Sequence, residues 1–193
     1  MIKLSEFRQR LGGLPIMWNW SLVADESFDI LTSNLELWKP RKILEIGTFQ
    51  GVSAAYLSHL CEHVLTVDIW QHPLRDMVFE RGRGKGAISA ILTNNQHDRD
   101  EYIIYMSGQV DLVILDGSHL YRDVEHDYAL TCACKNLLFH DYGWESIGRK
   151  YEESWPDVTQ FVNQLHDDCE FSSRYSIQST DVFVAAPFAW VSR

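Results

Sequence analysis

Six side chains able to hold charge or move a proton stand at or just past the ends of short apolar runs. Glu45 closes "KILE", Asp68 follows "VLTV", Asp116 follows "LVIL", and His140 and Asp141 follow "LLF", with His119 three residues beyond Asp116. Where such runs are neighbouring parallel strands, these groups meet at the carboxyl edge of the sheet, the edge at which open α/β folds bind ligands. Carboxylates placed there can accept hydrogen bonds from a donor-rich ligand or share a cation. An imidazole among them can take a proton from a hydroxyl near neutral pH.

The first of these acids opens a glycine turn, Glu45-x-Gly47-x-x-x-Gly51, within "ILEIGTFQGVSAAYLS". Such a turn bends the chain tightly after a strand and points the free N–H groups of the next helix at a ligand. The dinucleotide fingerprint is G-x-G-x-x-G, and Phe49 stands here in the place of its middle glycine, where a pyrophosphate would clash. Glu45 would also repel phosphate. It suits a ligand with positive charge and several donors, and S-adenosylmethionine has both. Asp68, twenty-three positions on, meets a second requirement: an acid ending the next strand accepts hydrogen bonds from both ribose hydroxyls. Taken alone, Asp68 reads equally well as a turn or cap acid, and Trp70 as a packing residue rather than an adenine neighbour.

The turn resembles the first motif of the class I S-adenosylmethionine-dependent methyltransferases, [ED]-x-G-x-x-x-G between first strand and first helix, and the likeness extends from about residue 26 to residue 187. It implies cofactor contacts from Glu45, Gly47, Thr48, Gly51, Asp68, Ile69, Trp70, Ser107 and Asp116. In the third strand the chain departs from the family pattern: "MSGQV" leads almost directly into "DLVILDG" with no intervening helix, and Ser107 and Gly108 are the residues left to meet the adenine edge.

"DGSHLY" and "HDY" are similar to motifs of a bacterial subgroup of macrocin O-methyltransferase and cephalosporin hydroxylase type. That likeness implies a divalent ion, Mg2+ or a transition metal, held by Asp116 and Asp141, and catalytic roles for Asp116, His119 and His140. His119 is the expected general base, with His140 and Tyr142 in reserve; its alternative is a capping or packing histidine. His140 stands where relatives often have Glu or Asp, and imidazole favours a transition metal over magnesium. Amino-methylating enzymes carry [DN]-P-P-[YFW] after the fourth strand to cradle a planar amine, and "DGSH" offers no such sandwich.

The elements that must position these groups alternate apolar runs with helical patterns, predicting an α/β, Rossmann-like, seven-stranded, mostly parallel sheet with helices on both faces and a C-terminal antiparallel hairpin. Strands are expected at 43–46, 64–67, 103–105, 112–115 and 137–139, with two more inside "FSSRYSIQSTDVFVAAP" joined by a turn at 178–180. Helices are expected at 26–38, 53–61, 86–94, 123–133 and 156–167, the last capped by Ser154. "RGRGKG", Arg81 to Gly86, reads either as a solvated loop or as a lid over an anionic substrate.

A chain of 193 residues suits one domain, a helical cap over 1–40 and a core over 41–193. No apolar run reaches the ~20 residues of a membrane span, and the start of the chain lacks a secretory signal, so the expected place is the cytoplasm. Cys61, Cys132, Cys134 and Cys169 have neither metal-finger nor redox spacing and read as reduced packing residues. The net charge of −10 opposes a nucleic-acid partner. The expected partner is a small-molecule acceptor. Trp18, Trp20 and the final "FAWVSR" are core or a homo-oligomer interface. Two other functional readings stay open, a non-catalytic cofactor-binding or sensor domain and a nicotinamide-dependent oxidoreductase, against which the glycine spacing argues.

Overall fold

Five strands run parallel, β1 (Lys42–Ile46), β2 (His63–Asp68), β3 (Ala87–Leu92), β4 (Leu112–Leu115) and β5 (Asn136–Phe139), and two more, β6 (Asp181–Ala185) and β7 (Phe188–Ser192), complete the sheet antiparallel. Their order is β3-β2-β1-β4-β5-β7-β6. The computed structural model describes residues 2–24, 28–142, 156–172, 181–185 and 188–192. Because β1 is flanked by β2 and β4, the chain reverses direction across the sheet there, which opens a crevice at the carboxyl ends of β1 and β4.

Helices α1 (Leu4–Arg10), α2 (Phe28–Trp38), α3 (Val52–Leu57) and α4 (Arg75–Gly82) cover one face; α5 (Gln96–Ser107), α6 (Tyr121–Leu130) and α7 (Pro156–Ser172) cover the other. Strict side-chain alternation deals each central strand into two cores. Ile43, Val64, Leu112, Ile114 and Leu138 enter the first, while Leu44, Leu65, Val113, Leu137 and Phe139 enter the second. The same alternation sends Glu45 and Thr66 to the first face, where a buried strand would otherwise carry hydrophobes. Among the described residues, no helix is long and apolar enough to cross a membrane.

Three expected elements move. Residues 86–94 contain β3 rather than a helix, and 103–105 lie inside α5 rather than in a strand. The i, i+3, i+4 spacing of Ile88, Ile91 and Leu92 imitates a helix, yet this is an edge strand half-covered on both faces. In α5 the buried residues are Arg99, Ile103 and Ser107, a single helical stripe, and Asn95 caps it by accepting from Asp98 N at 3.0 Å. The helix before the fourth strand is therefore present. The terminal antiparallel pair is 181–185 with 188–192, so the strand expected before the turn at 178–180 is not one of its members: residues 171–172 end α7, and 173–180 lie outside the described residues, as does Ser154.

Trp190, from "FAWVSR", is a core residue of β7, 4.7 Å from Trp38 between ring centroids. "RGRGKG" is packed rather than poised: Gly84 N donates to Ser58 Oγ (2.6 Å) and Gly86 N to Ser58 O (2.9 Å). A Cβ at Gly86 would come within 2.3 Å of Cys61 O. This connection precedes β3, at the edge of the sheet opposite the crevice, which removes it as a lid.

Candidate functional site

Glu45 is wholly buried at the carboxyl end of β1. It is register-paired with Thr66 of β2, and Thr66 Oγ1 donates to Glu45 Oε2 at 2.6 Å. With that proton committed, Thr48 Oγ1, also 2.6 Å from Thr66 Oγ1, is the donor in the next link. Burial, and then the nearby charges of Asp116 and Asp68, push the Glu45 carboxyl well above the usual range against the opposing Thr66 bond. Its second oxygen, Oε1, is buried without a hydrogen-bond partner among the described residues. Thr66 went unnoticed in the sequence; only its register opposite Glu45 gives it a role.

Asp68 ends β2 and organises the turn beside it. Its Oδ2 accepts from Thr48 N (2.9 Å) and Phe49 N (3.0 Å), and Oδ1 accepts from Trp70 N (3.1 Å). A carboxylate offers about four lone-pair sites, so both readings of Asp68 can hold together: it clamps the turn and retains capacity toward a ligand. Phe49, between those amides, sits in the left-handed region at φ 44°. Ile69 and Trp70 are exposed beyond Asp68. Thr93, whose N–H bonds Asp68 O (3.0 Å) and whose buried Oγ1 lacks a partner among the described residues, lies at this same edge after β3.

The two motif glycines are each demanded by close packing within the protein. Gly47 has φ 98°, and a Cβ there would stand 2.2 Å from Asp116 O. Gly51 has φ 79° ahead of α3, and a Cβ there would meet Phe79 at 2.5 Å. The first glycine thus lets the β1 turn touch the β4 loop, and the second lets α4 close on α3.

On the other side of the crevice the parallel register of β4 and β5 brings four groups together. His140 Nδ1 is 2.7 Å from Asp116 Oδ1 and 3.3 Å from Asp141 Oδ2; His119 Nε2 is 2.7 Å from Asp141 Oδ2 and 4.0 Å from Asp116 Oδ1. Asp141 adopts φ 63°, a strain that a short polar side chain tolerates and that clusters at working sites. Burial opposes charge on His140, but Asp141 and Asp116 outweigh it and raise the imidazole to about 10. Burial likewise opposes charge on Asp141, and His140 with His119 outweighs it, holding that carboxyl far below its ordinary value.

The two carboxylates thus bias His140 toward its charged form, which works against the reserve role of base expected for it. Tyr142 donates to Asn163 Oδ1 at 2.9 Å, tied to α7. Ser107 is also corrected: it ends α5, just before β4 begins, at the edge opposite Asp68 and Asp116, and its hydroxyl donates to Ile104 O. The remaining expected residues converge on the crevice edge.

Asp116, His119 and Asp141 each offer one ligand atom, all within 4.8 Å of one another. Two carboxylates and one imidazole fit a divalent ion that accepts both oxygen and nitrogen, as transition metals do, better than magnesium with its preference for oxygen. Beneath this loop, Arg99 makes a double hydrogen bond to Asp127 (2.8 and 2.6 Å), joining α5 to α6 beside Gly117.

A methyltransferase domain family model matches residues 44–142, about half of the chain, from β1 through the His140–Asp141 pair. The chain belongs to that methyltransferase family. A protein-L-isoaspartate O-methyltransferase from Bradyrhizobium sp. is 47% identical over 51 residues, 26% of this chain and 23% of the relative. Among solved structures, the MycE methyltransferase of the mycinamycin biosynthetic pathway, in complex with Mg and SAH, has TM-score 0.62 and 16% identity, over 100% of this chain and 53% of that one. The O-methyltransferase from Bacillus cereus in complex with SAH gives 0.61 and 13%, covering 98% and 90%. TomG from Streptomyces achromogenes, an O-methyltransferase involved in tomaymycin synthesis, in complex with SAM, gives 0.57 and 15%, covering 98% and 88%. This methyltransferase chain therefore spans about a quarter of the curated relative and about half of MycE. Membership of a methyltransferase family sets aside the nicotinamide reading.

Proposed function

We propose that the protein is an S-adenosylmethionine-dependent O-methyltransferase that acts on a hydroxyl of a small molecule such as a sugar or natural product. One adjacency carries the reading: Glu45 and Asp68, ending β1 and β2, share a sheet edge with Asp116, His119 and Asp141, beyond β4 and β5. The bound cofactor supplies an electrophilic methyl group on a cationic sulfur. Glu45 offers its second oxygen, Oε1, to the positive, donor-rich end of that ligand, and Asp68 faces the ribose hydroxyls while keeping the turn in shape. Ile69, Trp70 and Thr93 border the base.

His119 takes the proton of the acceptor hydroxyl, with Asp141 orienting its ring and stabilising the imidazolium that results. His140, held by Asp116, keeps Asp141 in register. A divalent ion held by Asp116, His119 and Asp141 would supply charge neutralisation and a seat for the acceptor oxygen, at the expense of His119 as base. Most of the rate acceleration comes from alignment of methyl and acceptor. We further assign the chain to a single domain over 1–193 with a cap over 1–40, working in the cytoplasm without a nucleic-acid partner.

The test is a screen of sugars, phenols and hydroxylated metabolites with methyl-labelled cofactor. Label transfer that is lost in His119→Ala, with cofactor affinity retained, supports the proposal. Cofactor binding without transfer to any acceptor favours the sensor reading instead. Cofactor affinity unchanged in Asp68→Ala removes Asp68 from the site.

A further inference from the structure

The glycine turn has a second partner. Gln50, buried inside the motif, has both ends of its carboxamide engaged with the N-terminal segment: Oε1 accepts from Met17 N at 2.9 Å, and Nε2 donates to Pro15 O at 3.3 Å. Three residues later, buried Ser53 Oγ accepts from Leu22 N at 3.1 Å. Residues 15–22 are thereby fastened at both ends to the turn and to the start of α3. Between the fastenings lies the short 3-10 turn Trp18–Trp20. Trp18 is anchored inward, edge-on to Phe7 with Arg8 4.8 Å over its ring. Trp20 faces outward, 59% exposed, with its ring 6.1 Å from Phe49. Phe49 is in turn 6.3 Å from Trp70 and 5.0 Å from His72.

The residue that Asp68 clamps through its amide is thus the residue on which Trp20 rests. We propose that Gln50 is a positioning residue: it fastens residues 15–17 across the glycine turn, so that Trp20 and Phe49 form the outer wall of the cofactor cleft and cofactor affinity depends on the N-terminal segment. The chemistry follows from the carboxamide. A carboxamide carries an acceptor oxygen and a donor NH2 side by side, so Gln50 can accept from one backbone group and donate to another two residues away, and a buried amide that loses either partner is penalised. The segment and the cofactor then act on opposite sides of one five-residue turn, whose φ values at positions 47, 49 and 51 are all positive. A turn so constrained has few conformations to share between free and bound states, and releasing one side frees the other.

This inference rests on the cofactor reading above, and the experiment separates their failures. S-adenosylhomocysteine is titrated calorimetrically into the wild type, Gln50→Met and Trp20→Ala, and chymotryptic cleavage within residues 14–22 is timed for each with and without it. Gln50→Met keeps the side-chain length and removes both hydrogen bonds; Trp20 is exposed, so its replacement leaves the core untouched. The expected result is a roughly tenfold weaker affinity in Gln50→Met, as loss of about 1.4 kcal/mol implies, and a several-fold loss in Trp20→Ala. Wild-type cleavage slows when S-adenosylhomocysteine is present, and Gln50→Met cleaves fast and loses that protection. Affinity within twofold of wild type in both variants overturns the coupling, whatever their thermal stability. Unchanged cleavage in Gln50→Met overturns the fastening. A wild type that binds no S-adenosylhomocysteine overturns the cofactor reading and this inference together.

Discussion

His119 Nε2 lies 2.7 Å from Asp141 Oδ2, and Asp141 reaches it from a left-handed backbone conformation at φ 63°. The pairing joins the loop after β4 to the end of β5 and fixes which ring nitrogen of His119 can accept a proton. His119→Ala should lower kcat by about 10²- to 10⁴-fold, the usual worth of a positioned base, and leave cofactor affinity within twofold. Steady-state kinetics with any acceptor found in the screen, beside calorimetry, checks both halves; a variant with undiminished kcat removes His119 from the chemistry.

The charges around this pair also set a pH window for stability. His140 is raised to about 10 in the folded protein, so its contribution is complete below its unfolded value near 6.5 and disappears as pH rises through about 10. Asp141 is lowered, so its contribution is complete above about 3.8 and disappears only in strong acid. The network therefore stabilises most between about pH 4 and 6.5. Denaturant midpoints should decline from pH 6.5 to 9.5 in the wild type, and the slope should shrink in His140→Asn. An equal slope in the two proteins contradicts the assignment.

Glu45 has the opposite sign. Its carboxyl is raised in the folded protein, so folding takes up a proton, and stability falls as pH climbs above the unfolded value near 4.5. Glu45→Gln, which can keep the Thr66 bond, should melt higher than the wild type at neutral pH by roughly 2–4 °C, the shift that about 1 kcal/mol makes in a chain of this size. The gap should widen from pH 5 to pH 8. A melting temperature below wild type at pH 8 refutes this account of the buried acid.

Removal of Asp127 leaves the buried Arg99 with its longer 3.4 Å contact to Asp100 beneath the Gly117–His119 loop, and removal of Arg99 leaves the buried Asp127 without its double hydrogen bond. Asp127→Ala should cost about 3–5 kcal/mol of unfolding free energy, and Arg99→Met with Asp127→Leu together distinctly less. Urea titrations decide it. A double variant as weak as the single would mean that the pair is needed for more than mutual neutralisation.

The sequence announced the site better than the elements around it. Glu45, Asp68, Asp116 and Asp141 stand at strand ends that were legible because β1, β2, β4 and β5 are short and built around apolar runs. β3 was not legible, because an edge strand half-covered on both faces has no clean period, and Ile88 and Ile91 fall at helical spacing. Reading the third strand at 103–105 is what set Ser107 beside the adenine edge, whereas the end of the strand, at Leu92, is followed by Thr93. Gly47 makes room for Asp116 O, a close approach of backbone to backbone that spacing along the chain does not reveal. The partners that govern protonation, Thr66 for Glu45 and Asp116 for His140, come from register between strands, which spacing along one strand does not encode.

The measurement that bears most directly on the account is a calorimetric titration of S-adenosylmethionine into the wild type and Glu45→Gln at pH 7.5. The account predicts one site in the wild type and an affinity about 10- to 100-fold weaker in the variant, as loss of a hydrogen bond to a charged group implies. Equal affinity in the two proteins, or no binding to the wild type, would contradict it.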